Sequence, residues 1–339
     1  MSLYLVTGGS GFCGFEMVKL LLEKKQKVRV LDIEKMPENL KVDFIKADIR
    51  DRKAVEDAVK GVDYVIHTVA KVPISKAGKE FWNVNVEGTR NVMEAALKSN
   101  VKKVVHISSS SVQMNKKNPV GEYAPFHPVG IYARSKLDAE YVCQEYIKKG
   151  LCIDIIRPRT VIGQGRLGIF DILFDWIADG KNVYTIGSGE NTIQFLHVKD
   201  LAVCTYLSSI SKGNNIFNVG SRECESLRED LNYLIKHAGT SSKVVGIPVV
   251  PSIIVLAMLD FLHLSPLASW HYLTYHKDFY FDNKNAKDIL GWKPRYSNKE
   301  ILVESYDNYI LTRKDRHSFG TSHRKGLKQG ILSLVKRLS

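Results

Sequence analysis

The sequence predicts an α/β fold: a doubly wound parallel sheet with helices on both faces, followed by a smaller C-terminal α/β lobe. Two observations predict it. Short apolar segments alternate with amphipathic helical segments through the first half of the chain, and this alternation is typical of a parallel sheet. A glycine-rich turn also joins the first apolar segment to the first helical one, as in the opening unit of many such sheets. The 339 residues are enough for a sheet domain and an appended lobe.

Six strands are predicted in the first half of the chain, at residues 3–7, 28–31, 42–47, 64–67, 101–107 and 153–157. Helical periodicity between them predicts one helix after the glycine-rich turn and others over residues 52–60, 81–99 and 132–149. A further helix is predicted over residues 170–180, within the smaller lobe.

The glycine-rich turn carries Gly8, Gly11 and Gly14 between the first strand and the first helix. Gly8 permits the sharp turn, Gly11 lets a pyrophosphate approach the backbone, and Gly14 lets the helix pack close to the sheet. The N–H groups of the first helical turn, at Phe12 and Cys13, then face the phosphates, where the helix dipole favours negative charge. We therefore predict a dinucleotide-binding site at this turn.

Asp32 closes the second predicted strand, 18 residues beyond Gly14. This is close to the ~20 residues expected for the acid that accepts hydrogen bonds from the ribose hydroxyls. A carboxylate there repels a 2′-phosphate, so NAD is favoured over NADP. Lys35 lies nearby and leaves NADP as the less favoured alternative.

Other polar and apolar residues follow later strands, at the sheet edge where open α/β sheets bind ligands. Asp48 and Ile49 follow the third strand and are predicted to meet the adenine. Residues 68–70 (Thr68, Val69 and Ala70) follow the fourth strand at the same edge. Asn85 lies inside a predicted helix and is either a polar core residue or an organiser of the active site. We favour the second role, because Asn is unfavourable inside a helix unless its amide has a partner.

A serine run at residues 108–111 follows the fifth strand, and Tyr132 and Lys136 open the next long helix. Tyr132 and Lys136 are four residues apart and so share one helix face. A tyrosine has an unperturbed pKa near ~10, and an ammonium held close to it favours the phenolate and lowers that pKa. A serine hydroxyl opposite them would orient and polarise a substrate oxygen. The pattern therefore indicates proton transfer at an alcohol or a ketone.

In these motifs the chain resembles an extended short-chain dehydrogenase/reductase of the NAD-dependent epimerase/dehydratase superfamily. The matching residues, which recur in order, are residues 7–14, Asp32, Asp48 and Ile49, residues 85–89, Ser108 and Ser109, Tyr132 and Lys136, and Arg157, Pro158 and Gly163.

The resemblance implies that Ser109, Tyr132 and Lys136 are the catalytic residues, with Ser110 as the alternative serine. The resemblance also implies that Pro158 and the loop after it lie next to the nicotinamide. The residues predicted to bind the cofactor are Gly8, Gly11, Phe12, Cys13, Gly14, Asp32, Asp48, Ile49, Thr68, Val69, Ala70, Ser108, Tyr132, Lys136 and Pro158.

The same resemblance divides the chain into parts. Residues 1–165 are predicted to form a Rossmann-type NAD-binding domain, to which a segment at about 193–220 returns. Residues 166–310 are predicted to form mainly the substrate-binding lobe, and residues 311–339 a basic tail. Many relatives are dimers, and the resemblance leaves a homodimer open for this chain.

Three features favour the branch of the superfamily that resembles 3β-hydroxysteroid dehydrogenases and sterol decarboxylases. The Asn that sugar-nucleotide enzymes usually place shortly after the sixth strand is absent from residues 157–163. Residues 193–195 read Ile-Gln-Phe where a basic phosphate contact is usual. Residues 247–264 form an apolar run, too short to span a bilayer, which we expect to be a buried helix of the lobe or else a greasy entrance resting on a membrane.

The predicted function is therefore an NAD-dependent oxidoreductase that interconverts a hydroxyl and a ketone on a lipid- or sterol-like substrate. The first alternative is a nucleotide-sugar 4-epimerase, dehydratase or reductase with bound NAD, in which Arg159 and Arg166 supply the diphosphate contacts. The second alternative is a dinucleotide-binding scaffold without catalysis.

The net charge of +13 is concentrated in the tail, where residues 311–339 hold eight basic residues against Asp315 alone. Four apolar residues recur there at helical spacing among basic ones and predict a short amphipathic helix for an anionic lipid surface: Leu327, Ile331, Leu334 and Leu338. A disordered solvated tail is the alternative. No aromatic platform for nucleic acid accompanies the charge, so no nucleic-acid partner is expected.

The five cysteines are scattered and form no C-x-x-C pair or Cys/His cluster. Free thiols, a reducing compartment and no metal site are therefore expected. The first strand begins at Leu3 and leaves no room for a signal peptide, so the predicted location is the cytoplasm, with the membrane surface as a peripheral site.

Overall fold

The structure is a computed structural model, and it describes residues 1–36, 40–75, 77–114, 117–165, 169–262, 264–265, 267, 269–313 and 332–338. Its strands are β1 (Leu3–Thr7), β2 (Lys27–Asp32), β3 (Asp43–Lys46), β4 (Tyr64–His67), β5 (Lys103–Ile107), β6 (Ile153–Pro158), β7 (Thr160–Ile162), β8 (Val183–Ile186), β9 (Phe195–His197), β10 (Ile216–Val219) and β11 (Val244–Ile247).

The helices follow the strands in alternation through the first half of the chain. They are α1 (Phe12–Glu23), α2 (Arg52–Val59), α3 (Glu80–Trp82), α4 (Gly88–Lys98), α5 (Gly130–Lys148), α6 (Ile169–Ala178), α7 (Val198–Ser209), α8 (Leu227–Ala238), α9 (Val249–Phe261), α10 (Ser269–Thr274), α11 (Lys284–Leu290), α12 (Asn298–Thr312) and α13 (Leu332–Leu338).

Seven parallel strands form the central sheet, in the order β10-β6-β5-β4-β1-β2-β3. The order reverses direction at β1, which is the point where open α/β sheets bind ligands. Side chains of β1 alternate between two cores: Leu5 packs on the side of α2, α4 and α5, whereas Tyr4 and Val6 pack on the side of α1 and α7. The predicted fold class is confirmed.

Most element boundaries differ from the prediction by one or two residues, and two of the differences have a visible cause or a structural consequence. The fifth strand begins at Lys103 instead of 101, because the N–H of Val101 donates to the carbonyl of Ala96 and closes the turn after α4. The helix predicted over residues 81–99 is made of α3, a π-helical turn at Asn83–Glu87, and α4. Such π turns inside helices frequently occur at functional sites.

The C-terminal lobe contains the short pairs β8–β11 and β7–β9 with α6, α8 and α12 around a separate apolar core. Strand β10 comes after the first of these lobe elements but pairs with β6 in the central sheet. The chain therefore passes from the sheet to the lobe after β6, returns to the sheet at β10 and leaves again for α8, and the lobe lies against the carboxyl ends of the strands.

The apolar run at residues 247–264 differs from our first expectation. It forms the end of β11 and then α9, but no side chain of α9 is buried, so the prediction of a buried helix is wrong. Val250, Ile254, Met258 and Phe261 are all more than half exposed, Phe261 to 83%. The reason is that α9 packs on α10 and otherwise faces away from the lobe core. None of the helices that the structure describes is long and apolar enough to cross a membrane.

Most of the basic tail, including Lys325, Leu327, Lys328 and Ile331, lies outside the described residues. The described end of the chain is α13, whose Lys336 forms ion pairs with Asp175 and Asp179, at the end of α6. Arg313 pairs with the same two carboxylates. These two basic residues are therefore held by the lobe.

Candidate active site

The glycine-rich turn brings α1 against the end of β1. Gly8 has a φ of +79°, which disfavours a residue with a side chain. A Cβ on Gly14 would lie 2.1 Å from the carbonyl oxygen of Gly8, so only glycine fits at this position. Gly11 immediately precedes α1 and has no side chain with which to cap it. The first turn of α1 is thus exposed toward a cavity, which Phe12 and Cys13 line.

Asp32 ends β2 beside this turn. Its carboxylate accepts hydrogen bonds from the N–H groups of Ser10 (3.0 Å) and Glu34 (3.0 Å). Burial raises the pKa of Asp32, and these backbone hydrogen bonds act in the opposite direction. The carboxylate is therefore fixed in one orientation at the rim of the cavity.

One cavity of about 420 Å³ runs along the carboxyl ends of the central strands. Its lining includes every residue predicted to bind cofactor or to act in catalysis: Gly8, Gly11, Phe12, Cys13, Gly14, Asp32, Asp48, Ile49, Thr68, Val69, Ala70, Ser108, Ser109, Tyr132, Lys136 and Pro158. The lobe contributes Ile169, Trp270, His271 and Tyr275 on the other side. The cavity therefore lies between the sheet and the lobe.

The residues of this cavity fit a dinucleotide. The glycines leave the space that side chains would fill, and the N-terminus of α1 offers a favourable position for a pyrophosphate. Asp32 lines the same cavity at the end of β2, and its carboxylate is an acceptor of the kind that ribose hydroxyls need. When bound there, NAD would supply a nicotinamide that accepts or returns a hydride.

The side chain of Asp48 is engaged within the protein. Arg50 binds its carboxylate with two guanidinium nitrogens, at 2.9 Å and 2.7 Å, and also contacts Glu80 at 2.8 Å. The Arg50 hydrogen bonds hold the pKa of Asp48 below its usual range. Arg50 also lines the cavity, although no sequence motif indicates it as a cofactor-binding residue. Its position two residues after Asp48 gives no sequence signal for this pairing.

Lys136 lies beneath the end of β5. Its ammonium donates to the carbonyl oxygen of Ile107 at 2.8 Å, and only 1% of the residue is exposed. Burial lowers the pKa of Lys136 to about 8. Tyr132 lies one turn earlier on α5, with its ring packed against that of Phe81 at a centroid distance of 6.0 Å. Tyr132 and Lys136 both line the cavity.

The serine run contributes different side chains to different partners. Ser109 lines the cavity, and its hydroxyl oxygen accepts a hydrogen bond from the N–H of Ser111 at 3.2 Å. Ser108 donates its hydroxyl to Glu140, which is itself bound by Arg157 at 2.9 Å and 2.6 Å. The Ser108 hydroxyl is therefore already donated within the protein, although Ser108 lines the cavity.

Asn85 connects the loop after β4 to α5. Its amide oxygen accepts from the N–H of Lys71 at 2.7 Å, and its amide nitrogen donates to Ser135 at 3.0 Å. Ser135 in turn donates to the carbonyl of Tyr132 at 2.8 Å. Asn85 is fully buried, so it is a core residue that also organises the loop after β4 and the first turn of α5.

Arg159 is the buried cation on the lobe side of the cavity. Its guanidinium lies 3.9 Å above the ring of Phe279 and donates to the hydroxyl of Ser110 at 3.1 Å. The sequence indicates Arg159 only as an alternative diphosphate contact, together with Arg166, which lies outside the described residues. Its burial depends on Phe279, 120 positions later in the chain, and no local pattern reveals that contact.

A family model and a known protein are each similar to more than half of this chain. The model of the NAD dependent epimerase/dehydratase family matches residues 4–220. The uncharacterized protein y4nG of Sinorhizobium fredii is 39% identical over 98% of this chain and 85% of its own length.

Two further relatives differ in their named activities. The sterol-4-alpha-carboxylate 3-dehydrogenase, decarboxylating, of Mus musculus is 26% identical over 92% of each chain. A putative UDP-glucose 4-epimerase of Methanocaldococcus jannaschii is 33% identical over 69% of this chain and 81% of its own.

Among solved structures, the UDP-glucuronic acid 4-epimerase from Bacillus cereus, in complex with NAD, has the same fold. The TM-score is 0.75 at 23% identity, over 91% of this chain and 99% of that one.

Proposed function

The chain belongs to the NAD-dependent epimerase/dehydratase family and is an NAD-dependent enzyme, and from that premise we propose that it interconverts a hydroxyl and a ketone on a lipid- or sterol-like substrate. The proposed catalytic residues are Ser109, Tyr132 and Lys136. The observation that carries the proposal is that these three residues line one cavity with the glycine-rich turn and Asp32.

The proposed chemistry follows from the residues of α5 and the serine run. In oxidation, the phenolate form of Tyr132 takes the proton of the substrate hydroxyl. The Lys136 ammonium favours that phenolate by its charge, and the Ile107 carbonyl orients the ammonium. The Ser109 hydroxyl donates a hydrogen bond to the substrate oxygen. The electron pair left on the substrate oxygen forms the carbonyl bond, and the C–H bond of the carbinol carbon breaks with both of its electrons, giving a hydride for which bound NAD would be the acceptor.

The lobe side of the cavity supports an apolar substrate. Ile169, Trp270 and Tyr275 present mainly hydrocarbon and aromatic surface there. The mouse relative named as a sterol-4-alpha-carboxylate 3-dehydrogenase is similar to this chain over 92% of its length. Both observations favour a substrate whose ring system or chain is buried against the lobe.

We further propose that the apolar substrate reaches the cavity from a membrane surface through α9. This helix exposes its large apolar side chains and packs on α10, which carries Trp270 and His271 into the cavity. The hydroxyl of Tyr272 on α10 donates to Asp260 on α9 at 3.2 Å and ties the two helices together. A lipid interface would cover the exposed face of α9, and α10 would lie between that helix and the substrate site.

We propose NAD over NADP because the Asp32 carboxylate, held at the end of β2 by the N–H groups of Ser10 and Glu34, would face the ribose and repel a 2′-phosphate. Like charges in that position disfavour the phosphorylated ribose.

A nucleotide-sugar epimerase is the second candidate, because the Methanocaldococcus jannaschii relative carries that name. In that case the buried Arg159 would contact a phosphate. A non-catalytic scaffold is the third candidate, which the presence of both Tyr132 and Lys136 in the cavity disfavours.

Turnover by the purified full-length protein separates these candidates. We would incubate it with NAD and, in separate reactions, a 3β-hydroxysterol, a carboxylated 3β-hydroxysterol, UDP-glucose and UDP-N-acetylglucosamine, and follow NADH and the product. The proposal expects NADH and a ketone from a sterol and no change in either sugar. Epimerised sugar without net NADH would contradict it and favour the second candidate.

A further inference from the structure

Arg159 combines a deep position with an incomplete set of partners. Only 4% of the residue is exposed, yet no carboxylate among the described residues forms an ion pair with it. Its Nε has no hydrogen-bond partner within the described part of the chain, and one Nη donates to Ser110. Burying a guanidinium is costly unless an anion or enough acceptors compensate it, so this arrangement needs an explanation.

Neighbouring groups hold the guanidinium in one place. It stacks 3.9 Å above Phe279, with Phe281 at 5.9 Å, and both rings are buried. Burial lowers the pKa of Arg159 to about 10, so the side chain is still charged at neutral pH. The cation is therefore pre-oriented, and little conformational entropy is lost when it binds a ligand.

The two residues with unpartnered donors line the cavity described above. Arg159 lines it together with Ser109, Ser110 and Ser111, and the hydroxyl of Ser111 is also buried without a partner among the described residues. Ser110, which accepts the Arg159 hydrogen bond, is the chain neighbour of Ser109. An anionic group bound by Arg159 would thus lie close to the oxygen that Ser109 is proposed to orient.

We propose that Arg159 is a specificity-determining residue that binds a single anionic group, a carboxylate or a phosphate, carried by the substrate near its reacting carbon. This inference rests on the proposed function for the identity of the reacting carbon, but the anion site itself does not require turnover. The guanidinium fork suits two-point binding of either anion, and the low exposure of the site strengthens the attraction.

The test measures binding to the full-length protein with bound NADH by calorimetry, using decanoate, methyl decanoate and UDP as probes. Decanoate and its ester differ in charge but share an apolar chain, and UDP carries phosphate without that chain. The variants are Arg159→Met, Arg159→Lys and the control Arg222→Met, which removes an exposed arginine outside the cavity. Equal NADH affinity verifies that each variant is folded.

We expect Arg159→Met to weaken decanoate binding by about 10- to 100-fold, the effect of losing a hydrogen-bonded charge, and to leave methyl decanoate unchanged. Arg159→Lys should be intermediate, and Arg222→Met should match the unsubstituted protein. A loss confined to UDP would support the anion site and identify phosphate as its ligand. Equal affinity of the Met variant and the unsubstituted protein for both decanoate and UDP, or a parallel loss of decanoate and its ester, would overturn the proposal.

A second measurement needs no substituted protein. Phenylglyoxal modifies arginine, and peptide mass spectrometry reports its reaction at Arg159. Decanoate or UDP, but not methyl decanoate, should slow that reaction, and protection by none of them would overturn the proposal. If Arg159 binds an anion and no sterol is oxidised, the proposed function fails while the anion site stands.

Discussion

Lys136 shows how burial couples one residue to the pH dependence of stability. Its pKa is 10.5 in an unfolded chain and about 8 in the folded protein, because burial disfavours its charged form. Below pH about 8 both states bind the proton, and the folded state bears the full cost of the buried charge. Between those two values the unfolded state binds more protons, so this group makes stability rise with pH.

We therefore predict that Lys136→Met changes the pH profile of stability. The difference in the free energy of unfolding, taken as the variant minus the unsubstituted protein, should be highest at neutral pH. The difference should fall by roughly 3 kcal/mol as the pH rises from the folded to the unfolded pKa. Urea titrations across this range measure it. The control Lys148→Met changes an exposed lysine of α5 and should run parallel to the unsubstituted protein, and a parallel profile for Lys136→Met would refute the prediction.

Asp32 leads to a prediction on cofactor choice. Asp32→Asn removes the negative charge that faces the ribose, so the ratio of NADPH to NADH affinity should rise about tenfold. Fluorescence titration with each reduced cofactor gives this ratio. Asp43→Asn, on the neighbouring strand β3 and half exposed, is the control and should leave the ratio unchanged. An unaltered ratio in Asp32→Asn would show that this carboxylate does not select the cofactor.

At the residue scale, motif spacing predicted which residues line the cavity but not what their side chains bind. The spacing from Gly14 to Asp32 and from Tyr132 to Lys136 encodes position relative to a strand or helix. The engagement of Ser108 by Glu140 depends instead on a contact across 32 positions. Such contacts follow from packing, which local patterns do not contain.

At the element scale, the contact between α1 and β1 depends on Gly14. A Cβ there would overlap the Gly8 carbonyl at 2.1 Å, and the backbone cannot move aside without displacing the helix. We predict that Gly14→Ala destabilises the protein by about 1–3 kcal/mol and weakens NADH binding. Thermal unfolding and NADH titration measure the two effects. Gly121→Ala, where an added Cβ meets nothing within 4 Å, is the control, and equal behaviour of the two variants would contradict the account.

The exposed helix α9 gives a prediction on membrane contact. Ile254→Glu combined with Phe261→Glu places two charges on its exposed apolar surface. Binding to anionic phospholipid vesicles should fall at least about tenfold, because each charge resists transfer into the interface. Flotation of the protein with vesicles measures it.

The same pair of substitutions should change the stability of the folded chain by no more than about 0.5 kcal/mol per site, since neither side chain is buried. If vesicle binding is unaffected, the lipid contact through α9 is wrong. If size-exclusion chromatography instead shows that the substitutions convert a dimer to a monomer, a second copy of the chain covers α9.

Helix α9 also shows where composition misleads. The apolar run predicted either a buried helix or a surface that meets a membrane, and we favoured burial. Hydrophobicity indicates that removing a segment from water is favourable. It does not indicate whether the rest of the chain covers that segment. The alternation of strands and helices was a safer guide, because it depends on repeated local geometry.

At the scale of the whole molecule, the cavity is formed by segments far apart in the chain. The sheet edge comes from residues before 165, whereas Trp270, His271 and Tyr275 come from a helix and turn more than 100 positions later. The parallel sheet and the residues on its side of the cavity could be predicted, because they follow from the first few strand–helix units. The substrate half could not, because the short strands and irregular connections of the lobe carry little periodicity.

The central claim is that Tyr132 exchanges a proton with the substrate beside the nicotinamide, and single-turnover formation of NADH tests it most directly. The full-length protein would be mixed rapidly with NAD and the sterol that turns over best, and compared with Tyr132→Phe and with Tyr141→Phe, an exposed tyrosine of the same helix. The account predicts a rate about 10²- to 10⁴-fold lower in Tyr132→Phe at saturating NAD, and the full rate in Tyr141→Phe. A full rate of NADH formation in Tyr132→Phe would contradict it.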